Sequence, residues 1–283
     1  MHVLVTPAEM QAWSVQQHRA GRRVGFVPTM GALHDGHLAL MSCARDHADV
    51  VVVSIFVNPL QFDVRADFDL YPRPIDDDLA QCAAAGVDAV YAPTAAAMYP
   101  PGFQSSVEPG ALGEHWEGAH RPGHFRGVTT VVAKLFGAVT PDVAVFGQKD
   151  AQQLAIVRQM ATDLDIGVNI VALPTVREPD GLALSSRNRR LTPADRTAAR
   201  CIHRGLTAAL AAFDAGERSP GQLHHLVEQC IVSEPAARLE YVGVVNGRNF
   251  APLHDPIALD DAPLVVVAAW FGEVRLIDNM PLG

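Results

Sequence analysis

His34 and His37 stand three residues apart in the segment Pro28-Thr29-Met30-Gly31-Ala32-Leu33-His34-Asp35-Gly36-His37. At helical spacing the two rings fall on one face of a single turn, where both can donate hydrogen bonds to a phosphate. Gly31 and Gly36 permit close backbone approach, and a helix starting here offers free N–H groups and the positive end of its dipole. A metal reading needs a third ligand, and no further His or Cys joins the pair in sequence; a purely structural pair is the plainer alternative. A second stretch, Asn58-Pro59-Leu60-Gln61-Phe62, sets two neutral amides beside a strand-stopping proline. Neutral amides suit recognition of hydroxyl and carbonyl groups rather than proton transfer, although Asn-Pro is also an ordinary turn.

Only two of the 22 basic residues are lysine, Lys134 and Lys149. Lys149 sits in Phe146-Gly147-Gln148-Lys149-Asp150-Ala151-Gln152-Gln153, where a strand leads into a helix. A cation at a helix N-terminus is unfavourable, and a bound polyphosphate reverses that penalty; chance or a solvated helix start is the bland alternative. Asp150 can accept from ribose hydroxyls, and Gln153, one turn on, can face the same crevice as Gln61. The fourth stretch, beginning at Arg177 and Glu178, runs through Gly181 and Leu184 to Ser185, Ser186, Arg187 and Asn188. Two hydroxyls followed by a guanidinium make a mobile phosphate clamp. A glycine-rich basic stretch, Arg121-Pro-Gly-His124-Phe-Arg126-Gly127, is either a turn or a second anion contact. The G-x-S-x-G, G-x-x-x-x-G-K-[ST] and G-x-G-x-x-G patterns are absent, which argues against a serine hydrolase, a P-loop ATPase and a dinucleotide enzyme.

These stretches need elements to hold them. Residues 23–29 and 50–57 predict strands, the second apolar throughout and so covered on both faces. Residues 37–47, 77–85, 128–138 and about 149–164 predict helices, and 89–92, 143–146 and 168–174 further strands. Strands alternating with helices predict a Rossmann-like parallel sheet with helices on both faces and ligands beyond the carboxyl ends of its strands. After Val176 the pattern changes. Thr192-Pro193 and Ser219-Pro220 each predict a helix opened by a capping hydroxyl, with proline in the first turn and an acceptor (Asp195, Gln222) at its third position. Two strand-like runs follow, 239–245 and 264–270. The expected division is a parallel-sheet domain over 1–176 and a smaller α+β domain with antiparallel strands over 177–283.

The chain has 283 residues, 49% of them hydrophobic, and a net charge of −9 from 22 basic and 31 acidic side chains. That acidity, with no basic stripe, speaks against nucleic acid and against an anionic membrane surface as partners. No run of about 18 uncharged apolar residues is present, and the start MHVLVTPAEM lacks the basic and apolar regions of a signal peptide. Cys43, Cys82, Cys201 and Cys230 lie far apart without C-x-x-C spacing, as expected of reduced, mostly buried thiols. The expectation is a cytoplasmic protein.

In this order VPTMGALHDGHLALM from Val27, FVNPLQF from Phe56, RPGHFRGV from Arg121, PDVAVFGQKDAQQL from Pro141 and REPDGLALSSRN from Arg177 resemble the pantoate–β-alanine ligase family nearly end to end. H-x-G-H alone points only to the broad nucleotidyltransferase superfamily. The resemblance implies a Rossmann-like ATP- and pantoate-binding domain over 1–176, a smaller lid domain over 177–283, and a homodimer. In the reaction it implies, ATP and pantoate form pantoyl adenylate and pyrophosphate, after which β-alanine attacks to release pantothenate and AMP. It implies that Pro28 to His37, Gly147, Gln148, Lys149, Asp150, Val176, Leu184, Ser185, Ser186 and Arg187 bind ATP, with His37 as proton donor. His34, His37, Lys149 and Arg187 would oppose the charge that builds on the phosphate, and Mg²⁺ would accompany ATP. Gln61 and Gln153, with Asn58 beside them, would hold pantoate, and Gln61 would also lie near β-alanine. Three positions depart from the family's common pattern: Asp63, Gly137 and Leu184. Two rival readings use the same residues: a nucleotidylyltransferase that leaves the nucleotide on its product, and a non-catalytic ATP sensor.

Overall fold

A computed structural model of the protein describes residues 1–63 and 65–283. The chain forms two compact units, one of residues 1–148 and 156–174, the other of residues 149–155 and 175–283.

The first unit is built on a six-stranded sheet in the order β1 (His2–Leu4), β4 (Ala89–Tyr91), β3 (Val50–Ile55), β2 (Val24–Thr29), β5 (Val143–Gly147), β6 (Asn169–Leu173). All five pairings are parallel. The valines of β3 are buried throughout, as a strand covered on both faces requires. Met41 and Ala44, on the inner side of the Asp35–His47 helix, pack with Val27, Val51, Val53, Val143 and Val145. The crossovers from β2 through β3 to β4 move one way and the crossover from β5 to β6 moves the other. The switch point therefore lies between β2 and β5, and the open end of the sheet there is where such folds bind ligands.

Strand β1 and the Pro7–Arg19 helix are among the elements of this unit without a counterpart in the sequence reading. Strand β1 is only three residues long, too short for alternation to register. The Pro7–Arg19 helix buries Met10, Trp13, Ser14 and Gln17, so two polar residues blur its apolar stripe. Ser14 is accommodated because its hydroxyl donates to the carbonyl of Val139 at 2.7 Å. Its start was nevertheless visible: Thr6-Pro7-x-Glu9 makes a complete capping box, with the same spacing as Thr192-Pro193-x-Asp195.

In the second unit β7 (Ala237–Asn246), β8 (Pro263–Phe271) and β9 (Val274–Pro281) form an antiparallel sheet. The Arg200–Asp214 and Pro220–Val232 helices close over it, placing Ile202, Leu206, Phe213, Leu223, Val227 and Ile231 in one core with Val242, Val244, Val265 and Val267. Thr192 caps the Pro193–Ala198 helix as expected, accepting from Asp195 N–H at 3.1 Å. Ser219 does not cap its helix; its hydroxyl donates instead to Asp255 at 3.1 Å. The third strand, β9, was not anticipated. Its Asp278-Asn279 pair interrupts an apolar run, and both side chains are buried for a reason that is local to the site.

Candidate active site

In the first unit the chain leaves β2 at Thr29 and reaches the Asp35–His47 helix through a five-residue loop. Gly31 and Ala32 both take positive φ, 79° and 51°. A side chain on Gly31 would meet Asp78 at 2.7 Å, so the position needs glycine on both counts. Asp78, from the Ile75–Ala84 helix, is 1% exposed and accepts from the N–H groups of Ala32 at 2.9 Å and Leu33 at 2.8 Å. That carboxylate fixes the strained turn from beneath.

The helix start itself is built by the two histidines. His34 is the N-cap, and its Nδ1 accepts from Gly36 N–H at 3.2 Å, while His37 Nδ1 accepts from His34 N–H at 3.3 Å. Their rings lie 4.1 Å apart. A serine or threonine cap with a glutamate partner ordinarily makes this reciprocal pair. An imidazole nitrogen that accepts from an amide carries a lone pair, so each neutral ring holds its proton on Nε2. The expected pair of phosphate donors is thus given a tautomer by the cap.

Beyond β3, Asn58 caps the Pro59–Gln61 turn. Its Oδ1 accepts from Leu60 N–H at 3.3 Å and from the Tyr99 hydroxyl at 2.8 Å. Its Nδ2 donates to the Gly127 carbonyl at 3.0 Å and to Gln61 Oε1 at 3.0 Å. A backbone N–H only donates and a backbone C=O only accepts, so the Asn58 amide has one orientation, and it imposes one on Gln61. Gln61 turns its Nε2 to Met30 Sδ, 3.3 Å away, and so carries its donor end toward the loop after β2. Burial pushes the Tyr99 phenol up, which keeps it a donor.

The 121–127 stretch, left open between a turn and an anion contact, buttresses Gln61. His124 Nδ1 and Arg121 Nη2 reach the Gln61 carbonyl at 2.8 and 3.3 Å. A side chain on Gly127 would lie 2.2 Å from the Leu60 carbonyl oxygen, so the helix backbone presses directly on the turn. Asp63, one of the departures from the family pattern, pairs with Arg121 at 3.3 Å. Gly137 faces open space, and its carbonyl accepts from Gln11 at 2.9 Å.

Gly147 ends β5 and Gln148 opens a short 3-10 turn, Gln148–Asp150, ahead of the Ala151–Asp163 helix. In the second unit, Lys149 therefore precedes the α-helix instead of lying in its first turn. Asp150 is exposed and Gln153 half-buried. Residues 176–184 fold back on themselves: Leu184 N–H donates to the Val176 carbonyl at 3.0 Å, with a bridge between Arg177 and Ala183. Ser185 then caps the Ser186–Arg190 turn by accepting from Arg187 N–H at 3.2 Å. Arg196 makes two bonds to Asp180 and holds its carboxyl below the usual carboxylate range. Burial, reinforced by Arg177, lowers the pKa of His203, which packs beneath Gly181.

The structure thus brings His34 to His37, and Met30 and Asn58 to Gln61, in one unit; Lys149 to Gln153 and Val176 to Arg187 belong to the other. Sequence reasoning missed Asp78 and Tyr99. Asp78 is the third of three consecutive acids at a helix start, and nothing in the triplet says which one turns inward.

A parallel six-stranded sheet with loops of this chemistry at its open end defines a Rossmann-like ligand-binding enzyme. The chain belongs to the pantoate-beta-alanine ligase family, whose profile matches residues 2–281. A pantothenate synthetase of Heliobacterium modesticaldum is 50% identical over 280 residues, covering 99% of each chain. One from Acidothermus cellulolyticus is 55% identical over 260 residues, 92% of this chain and 85% of the relative. Among solved structures, pantothenate synthetase from Thermus thermophilus superposes with a TM-score of 0.92 at 45% identity, covering 99% of each chain. Pantoate-beta-alanine ligase from Francisella tularensis, complexed with beta-gamma ATP and beta-alanine, gives 0.80 at 32% identity, covering 99% of this chain and 97% of that one. The protein is a ligase that condenses pantoate with β-alanine to pantothenate, using ATP.

Proposed function

We propose that the condensation runs through an acyl adenylate and that the residues named above divide the work as follows. A carboxylate oxygen of pantoate attacks the α-phosphorus of ATP, the bond to the β-phosphate bridging oxygen breaks, and pyrophosphate leaves. The amine of β-alanine then attacks the acyl carbon, the bond to the AMP oxygen breaks, and one amine proton is released. No protein nucleophile is required, because the substrate supplies it.

His34 and His37 donate hydrogen bonds from Nε2 to the phosphate oxygens, with the His37 N–H directed as the donor to the leaving pyrophosphate. The observation that supports this is their reciprocal cap, in which both Nδ1 atoms accept from main-chain N–H groups, so that in the neutral rings the proton is on Nε2. Lys149 and Arg187 oppose the remaining charge. Pro28 to Leu33, Asp35, Gly36, Gly147, Gln148, Asp150, Val176, Leu184, Ser185 and Ser186 complete the ATP site. Gln61 presents its Nε2 to pantoate, with Gln153 and Asn58 completing that subsite and Gln61 extending to β-alanine.

Magnesium enters with the nucleotide as MgATP, since Mg²⁺ favours phosphate oxygens and water over dedicated protein cages. Among the described residues no group of three His, Cys, Asp or Glu side chains is placed to hold a metal. The same reading takes the enzyme as a cytoplasmic homodimer; no helix among the described residues is long and apolar enough to cross a membrane.

The test is the first half-reaction alone. With ATP and pantoate but no β-alanine, labelled pyrophosphate should exchange into ATP. Pantoate labelled in its carboxylate should pass one labelled oxygen to AMP once β-alanine is added. An absolute requirement for β-alanine in the exchange, or unlabelled AMP, overturns the adenylate route.

A further inference from the structure

Asn279 lies on β9, the last strand of the second unit, and is 4% exposed. Its Nδ2 donates to the main-chain carbonyl of Lys149 at 2.9 Å, spanning 130 residues of sequence. Lys149 sits in a three-residue 3-10 turn, too short to define its own geometry by internal hydrogen bonds. An outside donor on its carbonyl therefore decides where the residue's Cα, and with it the start of the side chain, is held.

The donor is itself held firmly. The neighbouring Asp278, 4% exposed, accepts from Asn279 N–H at 2.8 Å and receives Arg177 in a two-pronged pair at 2.6 and 3.0 Å. Arg177 also donates to the Asn279 carbonyl at 3.2 Å and the Gly181 carbonyl at 3.0 Å. A bidentate guanidinium–carboxylate pair is the most geometrically restrictive ion pair available to a protein. Here it fixes the Asp278-Asn279 backbone and pins the 176–184 fold-back to the same strand. Burying two polar side chains costs stability unless they are hydrogen-bonded, and here the partners that satisfy them include Arg177 and the Lys149 carbonyl.

We infer that Asn279 is a positioning residue for the adenylation step: held by the Arg177–Asp278 pair, it anchors the Lys149 backbone so that the ammonium meets the nucleotide phosphates. The inference rests on the assignment of Lys149 to those phosphates. Asn279 touches no reacting atom and acts only through Lys149. Its removal therefore displaces the amine without removing it, the kind of misplacement that costs about tenfold to a hundredfold in rate.

The experiment is a double-mutant cycle on the full-length enzyme, read by pantoate-dependent pyrophosphate exchange. In the presence of Lys149, Asn279→Ala should lower the exchange rate about tenfold or more, with KM for ATP rising and KM for pantoate unchanged within about twofold. In a Lys149→Ala background the same substitution should change the rate by less than about twofold, because the group it positions is gone. Equal losses in both backgrounds would mean a general structural role and overturn the inference. Should Asn279→Ala fail to fold, Asn279→Ser, which also breaks the 2.9 Å bond, takes its place in the cycle; failure of both to fold would make Asn279 a folding residue and equally overturn it. A Lys149→Ala enzyme with normal exchange would instead refute the Lys149 assignment, and that outcome is read from the single variant alone.

Discussion

At the scale of single residues, the clearest signal was the scarcity of lysine. A chain that uses arginine at 20 of its 22 basic positions keeps Lys149 where a strand passes into a helix. A compact ammonium can approach a phosphate oxygen from any direction, while a guanidinium binds best through two parallel N–H bonds in one plane. Lys149→Ala should lower the rate of pantoate-dependent pyrophosphate exchange by roughly two to three orders of magnitude, about 3–4 kcal/mol of barrier, with the unfolding midpoint little changed. Wild-type exchange in the purified, folded variant would remove Lys149 from the chemistry. The histidine pair was legible as a pair, but its tautomer was not. Only the hydrogen bonds from the His34 and Gly36 amides to the two Nδ1 atoms decide which nitrogen carries the proton. The same holds for Gln61: its presence beside a strand end could be read, whereas the direction of its amide depends on Tyr99, Leu60 and Gly127 acting through Asn58.

At the scale of elements, periodicity revealed the buried strands and the amphipathic helices, and it failed where polar residues are buried for a local reason. Ser14 and Gln17 blurred the first helix, and Asp278 and Asn279 hid the last strand. Asp78 belongs to the same class. Its helix carries Asp76, Asp77 and Asp78 in the first turn, where the dipole welcomes them all, but only Asp78 turns inward to the Ala32 and Leu33 amides. Asp78→Ala leaves two buried N–H groups without their acceptor beside two residues of positive φ. The expected loss of folding stability is about 2–6 kcal/mol, from a cost of about 1–3 kcal/mol for each of the two groups. The 30–34 loop should then lose its geometry, and KM for ATP should rise more than KM for β-alanine. Urea denaturation measures the first effect and steady-state kinetics the second. Unchanged stability would show that the carboxylate does not support the loop.

For the whole molecule, the two compact units carry separate hydrophobic cores, and each core contains one fully buried cysteine. Cys82 belongs to the first unit and Cys201 to the second, and both are free thiols. Burial pushes the Cys82 thiol up to about 11 and the Cys201 thiol up to about 12. Alkylation proceeds through the thiolate, and at pH 8 values this high leave roughly one part in a thousand and one in ten thousand ionised. Shielding by the packed core slows attack further. Cys43 and Cys230 are only half-buried. A thiol reagent applied to the native enzyme at pH 8, followed by peptide mass spectrometry, should therefore modify Cys43 and Cys230 long before Cys82 and Cys201. In increasing urea, modification of Cys82 should follow the opening of the first unit and that of Cys201 the opening of the second. Each buried thiol then reports on its own core, and the difference between the two midpoints measures how far the units unfold together. Rapid modification of Cys201 in the native state would mean that the core around Ile202, Leu206 and Val267 opens freely, against the packing described for it.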